Sequence, residues 1–150
     1  MARFKNALTE HYIGAIPANE TDEVQYLRLA SRILEVNPSG QEDTEDYSDY
    51  AGDGTISTDV TGVRKAYDFV GQTDSSDAAQ QFVAAREFDI NDRRVMYRQV
   101  RTDGTIFEGE ATLSAIEIVG GVSSDYQPFN CTLTWVKTPT ITPPTPPTGP

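Results

Sequence analysis

A mainly β chain with one helix is the fold class that three features of the sequence predict. Phe129, Cys131, Leu133 and Trp135 alternate with Asn130, Thr132 and Thr134, the period of a strand buried on one face. Asp103-Gly104 lies between two strand-like arms, VMYRQVR and IFEGEATLSAIEIV, and Asp-Gly accepts the positive φ of a tight hairpin turn. Residues 75–87, SSDAAQQFVAARE, carry a helical stripe, with Asp77 and Gln80 spaced as a capping box.

Along the chain, residues 1–23 are expected to form an N-terminal arm. They lack the unbroken apolar core of a signal peptide, because Arg3 and Lys5 are soon followed by Glu10 and His11. No apolar run is long enough to span a bilayer, so the expectation is a soluble protein made in a cytoplasm. Residues 22–36 support two readings: Asp22 and Gln25 suit a helix cap, with Asn37-Pro38 as its stop, whereas Leu27, Leu29 and Ile33 alternate as in a strand. Local propensity favours the helix slightly. In a strand, a phase change after Ile33 would bring in Leu34 and Val36.

Residues 60–71 place Val63, Lys65, Tyr67 and Phe69 on one side of a strand that Gly71 ends. In the helix, Ala78, Phe82 and Ala85 form the stripe expected to lie on a sheet. After the hairpin, Phe107, Ala111 and Leu113 share a face that Ile116 and Ile118 miss by one residue, so a β-bulge is expected near Ser114 and Ala115. Residues 139–150, PTITPPTPPTGP, hold six of the nine prolines and read as an extended, disordered tail.

Composition excludes several function classes. A formal charge of -11 disfavours binding nucleic acid through its phosphates. The acidic stretch 41–54, QEDTEDYSDYAGDG, invites calcium, but an EF-hand register from Asp49 puts Ala51 at the third ligand place and Val60 at the twelfth. One histidine and one cysteine cannot build a structural zinc tetrahedron, and a catalytic triad would have to use His11. Cys131 reads as a small buried thiol. The glycines lack phosphate-loop spacing, and paired carboxylates remain conceivable without any reason to select a pair. No catalytic residue, metal or cofactor is expected. Among the basic residues, Arg94 and Arg98 would share one face of a strand and Arg93 and Arg101 the other, which suits a protein interface.

In order along the chain stand NPSG at 37–40, an acidic segment ending in YAGDG at 50–54, DVTG at 59–62, YDFVG at 67–71, DAAQ at 77–80, DGTIFEGEAT at 103–112, Gly120-Gly121 and a closing TWVKTP. Each landmark is an ordinary turn or strand end. Their order, spacing and combination with one helix resemble the major tail tube proteins of long, non-contractile-tailed bacteriophages, over about residues 24–138.

That resemblance implies a β-sandwich or half-barrel of two packed sheets with one flanking helix, a long inter-strand loop and extended terminal arms. It turns the reading of residues 24–36 from helix to strand, and it makes residues 37–59 the ring-to-ring loop. Such subunits join into hexameric rings stacked as a hollow tube. The implied partners are further copies of the chain, the tape-measure protein, and tail terminator and baseplate or distal tail proteins. DNA passes through the lumen without specific binding, and the protein belongs to the virion tail after assembly in the host cytoplasm.

Under this layout the inter-ring candidates are Glu42, Asp43, Glu45, Asp46, Tyr47, Asp49 and Tyr50, with Arg94 and Arg98 as receiving cations. Glu108 and Glu110, opposite Phe107 and Ala111 on their strand, are the lumen-facing candidates. A tail-completion or baseplate protein of related fold is the nearest alternative, followed by a small β-sandwich ligand-binding module and then a carboxylate-pair hydrolase.

Overall fold

Ten strands, one α-helix and a 3-10 turn at Asn6–Leu8 account for the regular structure in the computed structural model, which describes residues 3–19 and 21–144. They are β1 (Glu10–Gly14), β2 (Leu27–Arg28), β3 (Ile33–Pro38), β4 (Gln41–Tyr47), β5 (Ser57–Arg64), β6 (Ala66–Gln72), α1 (Ala78–Ala84), β7 (Arg94–Val100), β8 (Ile106–Glu117), β9 (Pro128–Trp135) and β10 (Thr140–Thr142). The main antiparallel sheet runs β2-β1-β7-β8-β9-β6-β3, and β10 pairs with the first residues of β8. β4 and β5 form a separate two-stranded sheet.

Chain connectivity forces the main sheet to curl. β2 and β3 are its two ends, yet only Leu29–Arg32 separates them. A flat path of seven strands would hold its end strands about 29 Å apart, whereas five Cα steps from Arg28 to Ile33 reach at most about 18 Å. The result is a half-barrel whose seam is the β2–β3 corner. Arg32 turns that corner with a φ of 61°, and its carbonyl accepts from Gln72 N at 2.9 Å.

Gln80 of α1, 1% exposed, locks the seam from inside. Its Nε2 donates to the carbonyls of Ser31 and Gln72, each at 3.0 Å, while Oε1 accepts from Asp74 N at 2.7 Å. All of its amide capacity toward the sheet is used, which is how a buried polar side chain becomes tolerable.

Alternation on β7, β8 and β9 supplies the core: Val95 and Tyr97, Ala111 and Leu113, then Phe129, Cys131, Leu133 and Trp135 all point inward. The bulge expected at Ser114–Ala115 is present. Ala115 adopts a φ of 52°, the register against β9 shifts between Ser114 and Glu117, and Ile116 thereby enters the core. Gly104 turns the β7–β8 hairpin with a φ of +91°, and Asp103 Oδ1 accepts from Thr105 N at 2.9 Å.

Several expectations need correction. Residues 24–36 are strands interrupted by a corner, as the family resemblance implied against local propensity; Ile33 and Val36 pack on the core across a bulge, while Leu34 stays exposed. The helix is shorter than 75–87. Asp77 caps it by accepting from Gln80 N at 3.2 Å, but its buried face is Ala79, Gln80 and Val83; of the expected stripe, Phe82 packs on the edge of the core while Ala78 and Ala85 are exposed. The strand expected over 60–71 breaks at Lys65, whose carbonyl accepts from Trp135 N at 3.0 Å; Val63 and Lys65 are exposed, and only Tyr67 and Phe69 join the core.

The chain ends also differ from free arms. β1 falls within residues 1–23, pairs with β7, and buries Ile13 completely. Within the expected tail, β10 pairs with β8; residues 145–150 lie outside the described residues.

Candidate assembly surfaces

The expected loop over residues 37–59 is replaced by a β-ribbon. β4 and β5 continue the β3–β6 pair past a joint where Ser39 N donates to Ala66 O at 2.9 Å, and nearly every residue of both strands is exposed on both faces. At its tip, Gly54 adopts a φ of +90°, Asp49 Oδ1 accepts from Gly52 N at 3.1 Å and Asp53 Oδ1 from Thr55 N at 2.9 Å. Those carboxylates build turns, and the Thr55 bonds hold Asp53 below the usual carboxylate pKa.

Directly opposed residues share a face, so the register sorts the ribbon side chains. One face carries Glu42 opposite Val63, Thr44 opposite Val60, and Asp46 opposite Thr58, whose Oγ1 donates to Asp46 at 2.6 Å. The other carries Asp43 opposite Gly62, Glu45 opposite Asp59 and Tyr47 opposite Ser57. Between Gln41 and Arg64 there are seven acidic residues against Arg64 alone. Tyr47 is 46% exposed, and Tyr50 at the tip is fully exposed. A two-stranded hairpin is by itself marginal in water, and like charges set directly opposite weaken it further.

A second surface lies on the side of the main sheet facing away from the core. Register places Tyr12, Arg98 and Glu108 in one row across β1, β7 and β8, with Met96 opposite Glu110 and Arg94 opposite Thr112 beside it. Arg98 lies 5.7 Å from each of the Tyr12 and Tyr26 ring centroids, and Arg94 reaches Glu110 at 4.0 Å. Burial, aided by the nearby Glu108 carboxylate, raises the Tyr26 hydroxyl pKa. Arg94, Arg98, Glu108 and Glu110 therefore occupy one mixed-charge face. The glutamates do not form an isolated acidic stripe, and the arginines are not separate from them.

A cavity of about 520 Å³ opens at the end of the half-barrel where β7 finishes. Leu29, Ile33, Val36 and Tyr67 wall it, and His11 and Gln99 meet at its base. Gln99 Nε2 donates to the Tyr97 hydroxyl at 3.2 Å, which lies 2.7 Å from His11 Nδ1. Burial, then the nearby Arg28 charge, lower the His11 pKa to about 4, so the ring is neutral at pH 7. Sequence reading missed this network because His11 and Tyr97 are separated by 86 residues.

Chemical centres are sparse. Among the described residues, no group of three or more His, Cys, Asp or Glu side chains is placed to hold a metal ion. Burial pushes the Cys131 thiol up to about 12, which keeps it protonated and inert. Nor, among the described residues, is any helix long and apolar enough to cross a membrane.

No family model and no curated protein sequence matches the chain. Solved structures do. A chain from the tail of an empty gene transfer agent particle, refined with helical C6 symmetry, superposes with a TM-score of 0.67 at 10% identity, covering 93% of this chain and 99% of that one. The two chains share a fold. The corresponding chain of the native gene transfer agent virion gives the same values, and one in the activated phage p2 baseplate overlaps more loosely, with a TM-score of 0.48.

Proposed function

We propose that this protein is a structural subunit of a phage-type tail, forming hexameric rings that stack into a tube through which DNA leaves the particle. The observation that carries the reading is the end-to-end correspondence with a chain of a C6-symmetric tail. The doubly exposed acidic ribbon agrees with it, since an element so weakly supported within one subunit gains its order from neighbours. In this reading the ribbon reaches an adjacent ring, with Tyr47 and Tyr50 as apolar anchors and its carboxylates meeting cations such as Arg94 and Arg98. The role is mechanical and involves no reaction.

The mixed-charge face of β7 and β8 bears on the lumen. Glu108 and Glu110 facing the channel would repel phosphates, but their arginine neighbours dilute that field. Negative-stain microscopy of the purified chain, with and without its tape-measure protein, tests the proposal. Rings or tubes with six-fold end views are expected; monomers under every condition would contradict it. A short stack that only caps a tube would favour the tail-completion or baseplate alternative.

A further inference from the structure

The connection from α1 into β7, residues 85–93, is braced by two arginines. Arg86, its side chain only 14% exposed, donates through Nη1 to Phe82 O at 2.8 Å, stacks 3.7 Å from the Phe82 ring centroid and pairs with Asp92 at 3.1 Å. Arg93 donates to three carbonyls: Glu87 at 2.7 Å, Asp89 at 2.9 Å and Leu113 at 3.4 Å. What this frame holds out is Phe88, 91% exposed, and Ile90, 83% exposed. Single exposed apolar residues are ordinary. A pair on a prebraced loop is different, because little ordering entropy remains to be lost on binding.

The connection leads into β7 at Arg94, and the cavity of about 520 Å³ lies beyond the strand's other end, at Gln99–Thr102. Leu29, Ile33, Val36 and Tyr67 give it an apolar wall. Its rim carries Arg28, which makes a half-exposed pair with Glu10 at 3.4 Å, Arg101, which stacks 3.9 Å from the Phe107 ring centroid and donates to Gln99 Oε1 at 3.0 Å, and a single carboxylate, Glu35. Phe88 and Ile90, in turn, are flanked by Glu87 and Asp89. Two apolar side chains flanked by carboxylates thus match the apolar wall and the two arginines of a cavity on the same chain, the two sites separated by the seven residues of β7, about 20 Å.

We infer that Phe88 and Ile90 of one copy seat in the His11–Gln99 cavity of a second copy, with Glu87 and Asp89 meeting Arg28 and Arg101. The knob and socket occupy different surfaces, so the contact is heterologous and propagates head to tail, as rings or stacks require. It rests on the self-assembly reading and names a contact within it that the acidic ribbon does not supply.

Thiol cross-linking of the 150-residue chain tests it, since Cys131 is buried and inert. Asn91→Cys and Leu34→Cys place thiols beside the knob and on the cavity rim, where Leu34 is 67% exposed. With a short bismaleimide, the double variant is expected to give a ladder of oligomers on a denaturing gel. An equal mixture of the two single variants should stop at one heterodimer, and Asn91→Cys alone should give none. Phe88→Ala should weaken association at least tenfold by sedimentation while leaving the melting temperature unchanged. Rings or tubes in micrographs without the 91–34 cross-link would overturn this contact and spare the tube reading, as would cross-linking of Asn91→Cys to itself. No assembly and no cross-link under any condition would overturn both.

Discussion

Glu45 and Asp59 stand directly opposite each other across β4 and β5, two carboxylates on one exposed face without a cation between them. Opposed like charges destabilise a strand pair. The arrangement is unfavourable for an isolated subunit and useful for one that docks on a basic surface.

Replacing one of this pair separates stability from assembly. Asp59→Lys is expected to stabilise the monomer slightly, by about 0.2–1 kcal/mol, visible as a small rise in melting temperature. The same variant should impair ring stacking, scored by sedimentation and microscopy. Asp46 and Asp49 are poorer targets, because Asp46 is bonded to Thr58 and Asp49 shapes the turn. Normal tubes from Asp59→Lys would return this face of the ribbon to a solvated spacer.

Gln80→Ala should be among the most damaging single changes. It leaves Asp74 N and the carbonyls of Ser31 and Gln72 without their partner at the barrel seam. Unpaired buried groups cost about 1–3 kcal/mol each, and water entering the gap recovers part, so a loss of about 2–4 kcal/mol is expected in urea unfolding. Ser76→Ala, on the same connection, removes a single exposed bond to Asp74 and should change stability by under about 1 kcal/mol.

His11 predicts a pH dependence. Its folded pKa is lowered from 6.5 to about 4, so the unfolded chain takes up the proton first as acid is added. The stability contribution of the neutral buried ring is present above pH 6.5, falls as pH drops, and is gone below about 4. Linkage bounds the effect at about 3 kcal/mol. Thermal melts between pH 7 and 4 should show this slope in the wild-type chain and a shallower one in His11→Gln; equal slopes would remove His11 as the cause.

Truncation distinguishes the two parts of the C-terminal segment. Ending the chain after Pro144 keeps β10 and should leave the melting temperature unchanged. Ending it after Thr138 removes the β10 pairing to Ile106–Glu108 and should cost about 1–2 kcal/mol. The simpler expectation that all of residues 139–150 are dispensable then fails for stability.

Much of the fold was legible wherever its cause is local or periodic. The β9 alternation, the Asp103-Gly104 turn, the bulge at Ser114–Ala115 and the Asp77 cap all follow from neighbours within a few residues. Assignments based on one stripe or one phase were less secure. Ala78, Phe82 and Ala85 keep helical spacing, yet the seam needs Gln80 inside, and burying that amide turns Ala78 and Ala85 outward and leaves Phe82 at the edge of the core. The assembly surfaces were half visible: acidity marked residues 41–54, while the pairing that makes them a ribbon depends on β5 residues up to Arg64.

By itself, then, the sequence determined the strand-rich class, the turns, the helix cap and the acidic excess, because backbone φ preferences, side-chain period and charge are properties of short segments. Only the tertiary structure decided that β1 belongs to the sheet, that a four-residue corner curls it into a half-barrel, and that His11 reaches Tyr97 across 86 residues. It also decided that Phe88 and Ile90 are held at one end of β7 with a cavity at the other. Such relationships arise from closing long loops, and no local preference encodes which distant partners will meet.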